Sequence, residues 1–393
     1  LMTRAAFVSQ SAVALEVART LGAGPWRRFF RVALPLARPA IIAGLALVLM
    51  ETLADYGTVA YFGVPTLSTG IYRTWFGLGD AMAAAQLAGV LLLAMVVLLT
   101  LERRARKERR ISVASARAAA PLPLGRGPGL LLAAALWLPV LLGFILPALQ
   151  LLVWSLPRWR DLAEPGFLGL LGTSLLIALC TALAATGLGL LLIWARRLRG
   201  DRPRRLAAGL AGFGYAVPGT VLAVGVVLVL ASLDRGLNNL LASVGLPEPG
   251  LLFSGTLFAV VFACTVRFLT IPIQGLDAGL QNLSPNLDNA ARSLGTASLP
   301  MLRRVHLPLL RVPLATSALL VFVDTLKELP AALVLRPFNT NTLAVRAFEL
   351  ASDERLADAA LPALTILLAG VAPVILLTRS IRNPHQESPH ADH

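Results

Sequence analysis

Residues 15–38 read LEVARTLGAGPWRRFFRVALPLAR, and residues 288–311 read DNAARSLGTASLPMLRRVHLPLLR. A constant offset of 273 aligns them without a gap. It gives ten identities in the 21 positions from Ala18 to Arg38, among them Ala18 with Ala291, Arg19 with Arg292, Gly22 with Gly295, Arg31 with Arg304 and Pro35 with Pro308. Self-similarity at a fixed offset marks a repeated structural unit. Each copy reads as a short Ala-rich helix, a Gly stop, a basic amphipathic stretch and the start of a long apolar run. That order describes a polar hinge between two membrane spans.

Composition agrees with a membrane protein. The chain has 393 residues, of which 56% are hydrophobic and 14% charged, with mean hydropathy +0.74. A soluble domain carries about a quarter charged residues. A helix needs roughly 20 apolar residues to cross the hydrocarbon core, and that ruler predicts eight spans at about 40–62, 81–101, 130–154, 171–195, 208–232, 251–273, 312–335 and 359–380. The N-terminus opens as LMTRAAFVSQ, without the charged-then-apolar preamble of a signal peptide. Cys180 and Cys264 lie 84 residues apart in apolar runs, which points to neither a disulfide framework nor a metal site. His306 falls in the second hinge; His385, His390 and His393 sit in the polar tail, which reads as a solvated end.

The net charge of +14 is explained by topology. Lys and Arg are retained on the cytoplasmic side. If both hinges are cytoplasmic, that side holds 26 of the 35 basic residues and 8 of the 21 acids, with both termini. A nucleic-acid partner is not needed. Residues 102–129 (ERRARKERRISVASARAAAPLPLGRGPG) carry eight basic residues followed by small residues, Pro and Gly, the composition of an exposed linker. The chain thus divides into residues 1–101, the linker 102–129, a second repeat 130–380 with its hinge at 276–311, and a polar tail 381–393. The second repeat has six spans and the first two, so internal symmetry predicts about four further spans before the first hinge.

The hinge spacing resembles the EAA loop of binding-protein-dependent ABC-transporter permeases, which read E-A-A, three residues, G, then a basic segment and L-P. Here the copies run Glu16, Val17, Ala18 to Gly22 and Asn289, Ala290, Ala291 to Gly295, departing from the pattern at Val17 and Asn289. The resemblance implies an all-α membrane protein similar to type I ABC importer permeases, with a partial first repeat and a complete six-helix second repeat. It also implies a multi-pass place in the bacterial plasma (inner) membrane, with both termini cytoplasmic. Glu16, Ala18, Arg19, Gly22, Ala291, Arg292 and Gly295 would couple to a separate ATPase dimer, and a periplasmic or extracytoplasmic substrate-binding protein would deliver substrate. Leu21, Trp26, Phe29 and Phe30, with Leu294, Leu299 and Leu302, are the apolar residues available as docking anchors. The competing role for the same face is adsorption to anionic membrane lipid through Arg27, Arg28, Arg303 and Arg304. No GxxxxGK followed by Ser or Thr occurs, so ATP would be bound by the partner, and no cofactor or enzymatic activity is expected of this chain.

The same offset carries ETLAD at 51–55 onto DTLKE at 324–328, matching Glu51 to Asp324 and Asp55 to Glu328. Ionisable residues within spans are costly and mark a pathway or a packing partner. The acids of each pair are four residues apart, which predicts one helical face, and Lys327 can pair with Asp324. Two uses remain open: four acids less one lysine give a path of charge −3, suited to a hard cation, or the acids lock helices together. The strings ETLADYG, YFGVPT, GIYR, KELPA, LRPF and ELASDE resemble the fused two-repeat permeases of ferric iron importers. Similar architectures serve thiamine, phosphonates and polyamines. Other classes fit less well. A gradient-driven transporter leaves the polar hinges without a role, and an intramembrane aspartyl protease lacks the GxGD context around Asp55 and Asp324.

Overall fold

The computed structural model describes residue 7 and residues 12–107, 125–198, 201–281 and 283–382. Most of the basic linker (108–124) and of the polar tail (383–393) lies outside the described residues. Among the described residues, helices account for the regular structure. In chain order they are α1 Ala12–Thr20, α2 Pro25–Arg28, α3 Leu34–Ala54, α4 Gly57–Tyr61, α5 Leu67–Tyr72, α6 Ala81–Lys107, α7 Arg126–Val140 and α8 Leu146–Ser155. They continue with α9 Pro165–Leu198, α10 Arg202–Ala211, α11 Gly219–Ser243, α12 Leu257–Phe268, α13 Thr270–Gln281 and α14 Pro285–Ser293. The last are α15 Ser298–Met301, α16 Leu307–Leu309, α17 Arg311–Leu326, α18 Pro330–Leu335, α19 Leu343–Ser352 and α20 Leu356–Arg382.

Five helices among the described residues are long and apolar enough to cross a membrane, and the number is up to eight if each of three bent pairs is one span. Eight is the number read from the sequence, but the boundaries move. The fifth span is Gly219–Ser243, not 208–232, because Asp201 caps α10 by accepting from the Arg204 N–H and the turn at Gly212–Pro218 separates α10 from α11. The sixth bends by 42° between α12 and α13. The first and seventh stop at Ala54 and Leu326, short of the apolar runs that continue past them. Pro330 has no N–H to extend α17 and instead starts α18, with the Glu328 carboxylate accepting from the Ala331 N–H at 3.1 Å.

The chain forms two compact units, Leu1–Asp55 with Gly89–Pro147, and Tyr56–Ala88 with Ala148–His393. In the first, α3 buries the small residues Ala37, Ala43 and Ala46 and exposes Leu45, Val48 and Leu49. In the second, α9 is central. Its Ile177, Ala182 and Ala185 pack against α12 and α17 and share one core cluster with Ala259 and Ala263 of α12, Val321 of α17 and Ala223 and Val226 of α11. Small residues let membrane helices approach closely, since lipid tails supply no hydrophobic drive between them. Gly189 of α9 shows this: a β-carbon there would lie 2.9 Å from Pro272 Cβ of α13.

Candidate functional site: the duplicated hinges and the ionisable residues that follow them

Both hinges fold the same way at the same register. After α1, Gly22 has φ +77°, with Gly22 N–H bonded to Arg19 O at 3.0 Å and Ala23 N–H to Ala18 O at 3.0 Å. After α14, Gly295 has φ +72°, with Gly295 N–H to Arg292 O at 2.9 Å and Thr296 N–H to Ala291 O at 3.0 Å. This is the left-handed C-terminal cap that Gly adopts without steric cost. Each hinge then runs through a four-residue helix (α2, α15) into a π-turn, Phe29–Ala33 in one and Leu302–His306 in the other. Every one of these elements is displaced by 273.

The hinge residues singled out from sequence fall on two sides. Glu16, Arg19, Gly22, Arg292 and Gly295 are exposed, Ala18 is half-buried and Ala291 is buried. Leu21 and Leu294 stand out at 80% and 84% exposure, one repeat apart, and Trp26, Phe29, Phe30 and Leu299 are also exposed. Leu302 is 6% exposed, so it leaves the set of docking anchors; the π-turn directs it into the protein beside Met301.

Under the second hinge lies a buried polar cluster that sequence reasoning missed. Arg197, near the end of α9, donates from Nε to Asp288 Oδ2 at 2.8 Å and from Nη1 to the Leu280 carbonyl at 2.8 Å. The opposite oxygen, Asp288 Oδ1, lies 2.9 Å from His306 Nε2. An ionised carboxylate only accepts, so Nε2 carries a proton, and the buried Nδ1 has no hydrogen-bond partner among the described residues. Burial pushes the Asp288 carboxyl up, but the hydrogen bonds and charges of Arg197 and His306 outweigh it and hold the group below its usual range. A lowered folded pKa contributes stability that is complete above the unfolded value and is lost as pH falls through the folded one. Amide exchange of Pro285–Ser293 should therefore stay slow from pH 7 down to about pH 4 and rise only below it. Release of the segment already near pH 6 would contradict this.

The span acids are not equivalent. Glu51 is exposed, and Asp55 is half-buried where α3 ends. Asp324 pairs with Lys327 at 3.0 Å. Glu328 is buried, accepts from Arg267 Nη1 and caps α18. The helix breaks after Ala54 and after Leu326, so the second acid of each pair lies beyond its helix and the expected single face does not form. Arg267, left out of the sequence-based count, lowers the expected −3 to −2. A β-carbon at Gly219 would sit 2.5 Å from Arg267 Nη1 and 2.6 Å from Glu328 Oε1, so the start of α11 closes over the pair.

Within the second unit, repeat-equivalent residues meet. Tyr56 and Leu329 are 273 apart, as are Ala60 and Leu333, and all four share one apolar cluster. Thr66 and Thr342, now 276 apart after a small insertion, both cap a helix through a hydroxyl that accepts from the N–H three residues on. At that shifted register Tyr72 corresponds to Phe348, and both pack on Tyr56, with ring centroids at 4.7 and 5.6 Å. Equivalent residues facing one another are the mark of a two-fold contact. Beside this cluster a cavity of about 990 Å³ is lined by Tyr72, Phe76, Thr173, Arg336, Asn341 and Glu349. Arg336 Nη2 and Asn341 Nδ2 donate to the two oxygens of Glu349 at 2.9 and 3.1 Å.

The described residues thus hold duplicated hinges, and repeat-equivalent segments in contact beside an open cavity of mixed polar and apolar lining. The chain belongs to the family of binding-protein-dependent transport system inner membrane components, which it matches over residues 1–112 and 185–383. It is 25% identical over 372 residues to the Fe(3+)-transport system permease protein FbpB 2 of Haemophilus influenzae, covering 93% of this chain and 70% of that protein. It is 28% identical over 376 residues to the thiamine transport system permease protein ThiP of Escherichia coli, covering 90% of this chain and 65% of that protein. A 2-aminoethylphosphonate transport system permease protein PhnV of Salmonella typhi matches at 26% over 248 residues, 60% of this chain and 88% of that protein. The chain is therefore a multi-pass inner-membrane permease of an ABC importer.

Proposed function

We propose that this permease carries ferric iron and that both hinges dock, on the cytoplasmic side, into a separate ATPase dimer that binds the ATP. The observation that carries the coupling role is the matched backbone of the two hinges, each presenting one highly exposed leucine, Leu21 or Leu294, beside a left-handed Gly cap. An apolar side chain held out from a rigid turn is the form of anchor that a groove on a partner accepts. A substrate-binding protein would deliver the ion to the opposite face. Iron is favoured by the similarity to FbpB 2 along 93% of the chain and by Glu51 and Asp55, hard oxygen donors. Glu328 and Asp324 are neutralised by Arg267 and Lys327, so they add no net charge to the path. Any site in transit should be weak, because conduction requires release.

A thiamine or aminoethylphosphonate cargo is the second reading, favoured by the similarity to ThiP and PhnV and by a cavity that combines aromatic rings with an Arg and a Glu. Vesicles holding the complete transporter, with ATPase and binding protein, should take up radiolabelled ferric iron on addition of ATP. Excess thiamine or 2-aminoethylphosphonate should leave that uptake unchanged. Uptake of either organic compound, with none of iron, would reassign the substrate.

A further inference from the structure

Neither the carboxylate nor the imidazole of the cluster beneath the second hinge is repeated at the equivalent positions of the first. The offset of 273 takes Asp288 to Leu15 and His306 to Ala33, an apolar pair. The two hinges share a backbone and one highly exposed leucine each, and differ at these two positions. We infer that Arg197, Asp288 and His306 are positioning residues that make α14 move as one body with α9, so that the second hinge transmits ATPase motion more stiffly than the first. The inference rests on the docking role proposed above.

The geometry gives the reason. Arg197 donates to the Leu280 carbonyl at 2.8 Å, which also accepts from the Leu283 N–H, and to the Leu283 carbonyl beyond the end of α13 at 3.1 Å, while its Nε holds the carboxylate of α14. The neighbouring Arg196 pairs with Asp277, also on α13. His306 is 1% exposed and closes the π-turn that leads into α16 and α17. One carboxylate thus joins α9, the α13–α14 corner and the hinge after α15. Side-chain networks of this kind, buried and charge-assisted, specify a single arrangement because any departure leaves charge unpaired. The other end of α9 reaches the polar cavity. Its 34 residues span about 50 Å at the α-helical rise; Thr173 lines the cavity, and the buried Ser174 hydroxyl accepts from the Leu343 N–H at 2.8 Å. A displacement of α14 is therefore carried along one continuous helix from hinge to cavity.

The test uses the assembled transporter in vesicles, with two readouts: substrate transported per ATP hydrolysed, and co-purification of the ATPase. Asp288→Leu with His306→Ala installs the apolar pair of the first hinge, avoiding a buried carboxylate without its imidazole. This double variant should still co-purify the ATPase and hydrolyse ATP, with transport per ATP reduced about tenfold, within the ordinary range of coupling between sites. His306→Gln keeps an N–H donor at the same reach and should stay within about twofold of the original protein. A double variant that binds the ATPase and keeps its full transport ratio overturns the inference. So does an equal loss in His306→Gln. If the double variant does not assemble, amide exchange on the detergent-purified full chain decides: Pro285–Ser293 should exchange at least about tenfold faster while α9 stays protected, and unchanged protection overturns the inference. Failure of the unmodified protein to bind the ATPase would instead refute the docking role and leave the exchange result to judge the cluster alone.

Discussion

Arg267→Ala should destabilise the second unit by about 3–5 kcal/mol, the cost of removing one partner of a buried ion pair. Arg267 is 8% and Glu328 7% exposed, and the pair sits where α11, α12 and α18 begin or end. The Glu328 carboxylate has two tasks: Oε1 accepts from the Ala331 N–H and Oε2 from Arg267. Without the guanidinium the cap remains, but the charge is left among apolar side chains and must take up a proton or draw in water. Lost packing adds to this, since the guanidinium also lies over the Phe268 ring, 5.4 Å from its centroid. Thermal unfolding in detergent, with and without Glu328→Gln, separates these contributions. Arg267→Met combined with Glu328→Gln should recover more than half of the loss, because no charge is then buried. A single variant within about 1 kcal/mol of the original protein would mean that water already reaches the pair.

Substitution of Gly22 and Gly295 by Val should abolish most transport while leaving the protein in the membrane. A β-carbon at either position would meet nothing within 4 Å, so space is not the obstacle. The obstacle is the backbone: φ of +77° and +72° costs an L-residue about 1–2 kcal/mol and a β-branched one more. Relief of that strain breaks the cap and swings Leu21 or Leu294 away from its docking position. Gly24→Val is the matched control, since Gly24 has φ −63° and open space around it, in the same hinge. We expect transport per ATP to fall at least about tenfold in the double variant, corresponding to about 1.4 kcal/mol of coupling, and little change for Gly24→Val. Equal effects at all three positions would show that bulk, not backbone geometry, matters there.

The hinges were legible in the sequence because both of their signals are local. A Gly six residues after the start of the motif fixes the cap, and a constant offset fixes the second copy. The apolar runs that supply the candidate spans were legible for the same reason. Their ends were not. At residues 56–62 and 329–335 the chain is largely apolar beyond the end of the helix, and the second stop depends on Pro330 and on a carboxylate whose partner, Arg267, lies 61 residues away. The cluster of Arg197, Asp288 and His306 was hidden in a related way. His306 stood out as a lone histidine, and Asp288 lies one residue before the motif's acidic position, but Arg197 comes from α9 and no local pattern ties it to either.

The π-turns of the two hinges bear on the history of the chain. One π-turn ends each hinge at the same register, Phe29–Ala33 and Leu302–His306, and two others, Arg73–Gly77 and Leu141–Ile145, lie elsewhere in the chain. The shared register of the hinge pair, together with the sequence repeat, is what a duplicated half carrying this turn would leave. The last residue of the turn then diverged, to Ala33 in one copy and His306 in the other. The two halves of this permease inherited one backbone and acquired separate interiors, so an ancestral homodimer of identical halves would have had either two polar clusters or none.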